Sequence, residues 1–296
     1  VLHRWFNTLF KDEMRVFIYP KRILLLHFKR TFKNGFKQAL VHQQFVDLPK
    51  KTETNGSEAA QWDGLISTLQ QVLQAPHWQV LAKNGAYTRV IISNHLIKYT
   101  VIPWSIALAI ESERQAYMQH RFKIAYGETS KAWDLCMSEP AFGQASIASG
   151  LCSVLLKALH QVFEQHGINV YAIHPHLMLA SNQMLKHIKT QKNKHHFWFV
   201  VIESGRACVS LIEDGEWRFV RNIAAGEDAA KQIDDLIQRE VVVSNASAQL
   251  PIFWYGKTPV PVTGLKPDSQ HIKVNLHHFE LLNQQLEKSF KNWVAA

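Results

Sequence analysis

The chain has 296 residues, of which 47% are hydrophobic and 19% charged, with a formal net charge of +9. This is globular composition with enough apolar material for a sizeable core, in one large domain or two of ordinary size. The longest apolar run, residues 100–110, is broken by Pro103 and is too short to cross a bilayer. The first residues show neither a continuous apolar stretch nor a small-residue cleavage site, so no signal peptide is expected. Three widely spaced cysteines, Cys136, Cys152 and Cys208, form no C-x-x-C pair and are expected to be buried, reduced thiols of a cytosolic protein.

The positive charge is unevenly placed. Nine Lys/Arg lie between Val1 and Lys37 against two acids, Asp12 and Glu13. Such a patch meets nucleic acid, an acidic partner or anionic lipid, or is a solvated face. Within it Leu2, Trp5, Phe6, Leu9 and Phe10 recur at helical spacing, with Arg4 and Lys11 on other sides. The pattern predicts a short amphipathic helix that either packs on its own domain or touches a membrane or partner.

A hairpin follows: a strand over 15–19, a turn at Pro20-Lys21 and a strand over 22–29, with a third strand near 38–46. The polar loop 47–57 ends at Ser57, a cap for a helix over 59–74. Strands are predicted over 88–92 and 96–101, paired as a hairpin through Ser93-Asn94-His95. A helix over 106–125, a strand over 133–137 and a loop at 140–144 complete this part.

A helix over 149–166 stops at Gly167, and a short strand over 169–174 precedes a helix that Pro175 opens and that runs to about 188. Residues 197–202 (Phe-Trp-Phe-Val-Val-Ile) are apolar throughout, the pattern of a strand buried on both faces. A turn at Glu203-Ser204-Gly205 leads to a strand over 207–212. Asp214-Gly215 is a strong hairpin signal, and 216–223 is the third strand. A helix over 228–239, a strand over 252–255 ending at Gly256, a Pro/Gly-rich loop over 258–269 and a helix over 279–293 close the chain.

Two matching hairpins indicate a duplicated α/β fold, in which the turn after the first strand of each half is where phosphates bind. Such a turn needs glycine for close backbone approach and an acid for Mg²⁺ or its water. Glu203-Ser204-Gly205 meets both needs loosely. Pro20-Lys21 meets neither, because proline has no N–H to donate, although Lys21 offers a point charge. There is no P-loop, G-x-G-x-x-G, G-x-S-x-G or H-E-x-x-H motif. The paired histidines His174/His176, His195/His196 and His277/His278 lack zinc spacing, and no metal site is expected. No nucleic-acid motif accompanies the basic N-terminal stretch.

In several places the chain resembles the actin-like proteins of type IV pilus and type II secretion inner-membrane platforms, the PilM and GspL families. The resemblance rests on Ile102-Pro103 followed by a helix with early acids Glu111 and Glu113. It rests also on His166-Gly167-Ile168 with the following strand, Pro175, Leu177 and Ala180. Residues 200–226, with Asp214-Gly215, Arg221 and Gly226, and residues 252–256 carry the rest. It implies a duplicated ribonuclease H-like fold of the actin/Hsp70/sugar-kinase superfamily, with mixed sheets flanked by helices and a reduced second-half insertion. The expected organisation is a basic amphipathic segment at 1–13, a first half at 14–148 with a small inserted subdomain at about 85–140, and a second half at 149–296.

The departures from that family bear on function. Where nucleotide-binding members carry Asp-x-Gly in both phosphate turns, this chain has Tyr19-Pro20-Lys21 and Glu203-Ser204-Gly205. The adenosine-contact glycine pair becomes Gly256-Lys257. The stretch from Gly205 to Gly256 is also short beside that of full actin-like ATPases. The expectation is a non-catalytic, cytoplasmic scaffold, peripheral on the inner membrane, that binds a cytoplasmic segment of a bitopic membrane protein, with Arg4, Trp5, Phe6, Leu9, Phe10 and Lys11 as membrane or partner contacts. Anionic lipid and self-association are further expected contacts; no cofactor is expected. The alternative is an active ATPase or kinase relative in which Lys21, Glu203, Ser204, Gly205 and Gly256 hold ATP and Mg²⁺. A more distant alternative is nucleic-acid binding through the basic stretch.

Overall fold

A computed structural model describes residues 11–31, 37–49, 61–138, 143–188, 195–226, 228–244, 250–256 and 272–273. The chain groups into two compact units, residues 1–138 with 148–176, and residues 139–147 with 177–296.

In the first unit β1 (Glu13–Ile18) and β2 (Arg22–Thr31) form the antiparallel hairpin read from the sequence, and β3 (Lys37–Asp47) pairs with β2. Helices α1 (Asp63–Leu73) and α2 (Pro76–Lys83) follow. The sequence reading joined residues 59–74 into one helix and missed α2, which Pro76 opens at its first position, where a fixed φ and a missing N–H cost nothing. Ser57, the expected cap, lies outside the described residues. Next come β4 (Tyr87–Ile92), β5 (Ile97–Ile102), a 3-10 turn (Ile106–Ala109), α3 (Glu111–Tyr126), β6 (Trp133–Met137), β7 (Ser146–Cys152), α4 (Ser153–Gln165) and β8 (Val170–Pro175).

The main sheet has the order β3-β2-β1-β4-β8, with β1/β4 and β4/β8 parallel. Residues 149–176 belong to this unit because β8 is hydrogen-bonded to β4. One face of the sheet carries Met14, Val16 and Ile18, and α1 and α4 pack together with Leu65, Leu69, Val72, Leu155, Leu159, Val162 and Phe163 buried. α4 ends as Gly167 predicts. Gly167 takes a φ of +65°, its N–H donates to the Glu164 carbonyl, and the Ile168 N–H reaches the Phe163 carbonyl.

Two expectations are corrected in this unit. Residues 88–92 and 96–101 are not a hairpin: β4 joins the main sheet beside β1, whereas β5 joins a separate sheet of order β5-β7-β6. The predicted helix over 149–166 begins as strand, since 148–152 of β7 pair with β6 and the helix starts only at Ser153. The small residues of β7 are the reason. Ala148 and Gly150 lie on one face, where α3 lays Met118 and Phe122 against the sheet.

The second unit repeats the plan. After α5 (His176–Ile188) come β9 (Phe197–Glu203), β10 (Gly205–Glu213), β11 (Glu216–Ala225), α6 (Ala229–Ser244), β12 (Ile252–Tyr255) and β13 (Ile272–Lys273). Their sheet has the order β11-β10-β9-β12-β13, with β9/β10 and β10/β11 antiparallel and β9/β12 and β12/β13 parallel. Order and strand senses match the first sheet, so the duplication inferred from the hairpins is present in the topology.

Every residue of β9 is buried. Trp198, Val200 and Ile202 face a core closed by Ile233, Leu236 and Ile237 of α6, while Phe197 on the other face meets Phe253 edge-on at 5.3 Å between ring centroids. Asp214 and Gly215 both have positive φ, +55° and +77°, the two-residue turn that suits the twist of paired strands. Of the three free cysteines only Cys208 is buried; Cys136 is exposed, against expectation, on an edge strand of the small sheet. The expected helices over 1–10 and 279–293 and the loop 258–269 lie outside the described residues. Among the described residues no helix is long and apolar enough to cross a membrane.

Two glycines set the closest approaches. A Cβ on Gly150 would lie 2.9 Å from both Leu135 Cδ2 and Phe122 Cε1. Gly150→Ala is therefore expected to cost about 1–3 kcal/mol through overpacking, measured by urea denaturation. At Gly256 (φ +121°) a Cβ would meet the Ile202 carbonyl oxygen at 2.2 Å. Here backbone faces backbone and neither can move aside. Gly256→Ala is expected to lose about 3 kcal/mol or more in the same measurement.

Candidate functional site

The first hairpin turn is closed by its own backbone. Ile18 opposes Ile23 as the last ladder pair. The Tyr19 N–H then donates to the Arg22 carbonyl at 2.9 Å, and the Lys21 carbonyl accepts from the Leu48 N–H at 2.8 Å. Pro20 supplies no N–H. The Tyr19 ring lies parallel to Phe17 (6.2 Å between centroids, 7° between planes) and meets buried His176 edge-on at 6.5 Å. Arg22, which follows the turn, pairs with Asp47 at 3.2 Å. Lys21 is exposed. The amides that cradle a phosphate in such turns are here absent at Pro20 and engaged at Tyr19.

The second turn has different chemistry. Arg206 opposes Glu203 across it, and Gly205 takes a φ of +77°. Ser204 is exposed, whereas Glu203 is 9% exposed. Ladder register puts Glu203 and Cys208 on the same face of the sheet. Burial pushes the Cys208 thiol well above its ordinary range, and the negative charge of Glu203 adds to the shift. The parallel pairing of Tyr255 with Val201 carries the chain on to Gly256, which sits against the Ile202 backbone. Glu203, Ser204, Gly205 and Gly256 are thus gathered at one end of the second sheet. Lys21 stands at the matching end of the first sheet.

Of the proposed membrane or partner contacts, Arg4, Trp5, Phe6, Leu9 and Phe10 lie outside the described residues. Lys11 is exposed, with its Nζ beside Gly85. No group of three or more His, Cys, Asp or Glu among the described residues is placed to hold a metal ion.

The sequence reading missed a histidine group elsewhere in the first unit. His27 and His42 are direct partners across β2 and β3, and His77 of α2 packs over them. Neighbours in sequence drew attention to His174/His176 and His195/His196, but a cross-strand pair becomes visible only once the β2/β3 register is known. That register slips between His27 and Phe28, so counting from the connection does not give it.

No family model matches this sequence, and no curated protein does. Solved structures match over most of the chain at low identity. One is a Bacteroides thetaiotaomicron protein with an actin-like ATPase fold and unknown function, 10% identical with a TM-score of 0.53 over 86% of this chain and 85% of that one. Another is the cytoplasmic domain of EpsL, an inner-membrane component of the type II secretion system of Vibrio cholerae, 11% identical with a TM-score of 0.53 over 94% and 95%. A third is the PilM–PilN type IV pilus biogenesis complex, 11% identical with a TM-score of 0.52 over 82% and 81%. With the strand order β3-β2-β1-β4-β8 repeated as β11-β10-β9-β12-β13, these likenesses establish that the chain has the actin-like ATPase fold.

Proposed function

We propose that this chain is a non-catalytic scaffold on the cytoplasmic face of an inner membrane, binding a short cytoplasmic segment of a bitopic partner in a pilus- or secretion-type assembly. The observation that carries this reading is the first hairpin turn. Its proline, its internal Tyr19–Arg22 bond and the Phe17–Tyr19–His176 packing leave it without the donor set that a nucleotide phosphate needs. Phosphoryl transfer depends on positioned Mg²⁺ and water held from both sides of the transferred group, and half a clamp does not meet that need. No cofactor enters the proposed role. Similarity to the EpsL domain and to PilM supports the choice of assembly, and the basic, amphipathic stretch around Arg4, Trp5, Phe6, Leu9, Phe10 and Lys11 supports contact with anionic lipid.

The second turn favours one competing reading, a nucleotide-binding ATPase, because Glu203, Ser204, Gly205 and Gly256 converge at one sheet end. Two details weigh against it. Gly256 is already required by the Ile202 carbonyl, so its presence needs no adenosine. Glu203 is buried in the sheet face it shares with Cys208, where it is poorly placed for hydrated Mg²⁺.

Thermal unfolding with Mg-ATP separates the readings. A ligand at a hundredfold excess over its Kd adds about 2.7 kcal/mol, which for a chain of this size raises Tm by roughly 5 °C or more. The scaffold reading expects a change below ~1 °C, and a rise of several degrees overturns it. Lys21→Ala is expected to alter stability by less than about 0.5 kcal/mol, since the side chain is exposed. Affinity capture from detergent-solubilised membranes should recover a bitopic inner-membrane protein of an assembly platform, and recovery of none counts against the proposal.

A further inference from the structure

Asp12, His27, His42 and His77 meet where α2 lies on the β2/β3 hairpin, beside a cleft of about 290 Å³ that Asp12, His27, His77, Val80 and Asn84 help to line. The Asp12 carboxylate lies 3.0 Å from His27 Nε2, and His27 Nδ1 lies 3.2 Å from His77 Nε2. The His42 ring packs on His77 at 4.1 Å between centroids, and His42 also touches Trp78 at 5.3 Å. Trp78 is fully buried and donates its Nε1–H to Gln44 Oε1 of β3 at 2.6 Å. The elements joined are the segment before β1, strands β2 and β3, and helix α2.

The hydrogen-bond network assigns the tautomers. Asp12 accepts from His27 Nε2–H, so His27 Nδ1 carries a lone pair. His77 must then donate its Nε2–H to that lone pair. While only one of the two rings is protonated, the other can change tautomer and still offer a lone pair; with both protonated, two donors face each other at 3.2 Å and the link breaks. A proton on His77 keeps the link but places a cation against the His42 ring and beside His27. Asp12 can balance one positive charge in the group; a second is repelled across a few ångströms.

We propose that this Asp–His–His chain with His42 is a pH-operated latch, holding α2 on the β2/β3 hairpin when its imidazoles are neutral and releasing α2 when they take up protons. The titratable groups facing His77 are His27 from β2, His42 from β3 and, through His27, Asp12 from the segment before β1. α2 carries Lys83 in its last turn, and Lys11 reaches Gly85 just beyond it. These lysines add positive charge to the same end of the helix.

Burial, then His42, then His27 hold the His77 pKa below its ordinary value of 6.5. The unfolded chain therefore binds this proton more readily than the folded one. Stability is complete above the unfolded value and falls as pH drops through 6.5 towards the lower folded value. The α1/α4 core, with Leu65, Leu69, Leu155 and Phe163 buried, contains no member of this group, so the expected event is local opening of α2 rather than global unfolding.

Hydrogen–deuterium exchange of the intact chain at pH 7.5 and 5.5, corrected for the intrinsic pH dependence of exchange, tests the latch. Protection of 76–83 is expected to fall about tenfold more than that of 153–165. His77→Gln and His42→Gln should each remove most of that difference, and if one of them fails to fold the other serves. Equal loss of protection in both helices, unchanged protection of 76–83, or full pH dependence retained in a folded variant would each overturn the proposal. Should neither variant fold, the comparison of the two helices in the unmodified chain decides alone.

Discussion

The parallel pairing of the first strand of each sheet with its fourth is the constraint on which the rest depends. β1 runs beside β4 from Glu13/Tyr87 to Ile18/Ile92, and β9 runs beside β12 from Trp198/Ile252 to Val201/Tyr255. A hairpin occupies the other edge of each first strand, so both edges are used and the strand sits at the centre of its sheet. Central placement demands apolar residues on both faces, which β9 supplies along its whole length. In the first sheet a buried carboxylate is part of the solution. Glu13, 1% exposed, pairs with Arg15 at 2.6 Å and lies 3.8 Å from Arg89 of β4. A charge so deeply buried is tolerable only because two guanidinium groups meet it.

That pairing also decides what happens at the turns. The first and fourth strands are parallel and end at the same level, so the hairpin turn and the residues after the fourth strand are neighbours in each sheet. Ser93, just past β4, donates its N–H to the Ile18 carbonyl. Gly256, just past β12, presses on Ile202. The same frame therefore presents two equivalent turns, and the two differ in sequence and packing. One turn packs Tyr19 on Phe17 and His176, with the Tyr19 N–H and the Lys21 carbonyl engaged by backbone. The other retains a positive-φ glycine and an acid, but the acid is turned into the protein. Divergence of this kind leaves the frame intact, because sheet order and core packing place no demand on a turn beyond reversing the chain.

What the sequence revealed follows the same division. Local signals were legible: Asp214-Gly215 as a tight turn, Gly167 as a helix stop, the unbroken apolar run of β9, and the hairpin at Pro20-Lys21. Each depends on the conformational limits of one or two residues or on a short period. Partner choice was not legible. Residues 88–92 and 96–101 look like a hairpin because a short polar link joins two β-rich runs. They part because β4 is drawn into a parallel ladder with a strand some seventy residues earlier, and β5 to β7. The helix expected over 149–166 overlaps the last four residues of β7. Its Ser-Ile-Ala-Ser-Gly-Leu-Cys sequence has little strand character, and it is a strand because its small side chains admit Phe122. The Asp12–His27–His77 group was invisible for the same reason: its members come from three elements whose contact depends on tertiary packing.

A scaffold and an ATPase ask different things of this frame. An enzyme of this fold must hold phosphate from both hairpin turns, so a proline in either one is costly to function even where it is harmless to stability. A scaffold asks only that its surfaces be presented rigidly, and Pro20 with the Tyr19–His176 contact makes its turn more rigid. Under the proposed scaffold role, neither Pro20 at the first turn nor the burial of Glu203 at the second carries a functional cost. Gly256 is accounted for by its contact with the Ile202 backbone, and the scaffold proposed above asks nothing further of that position.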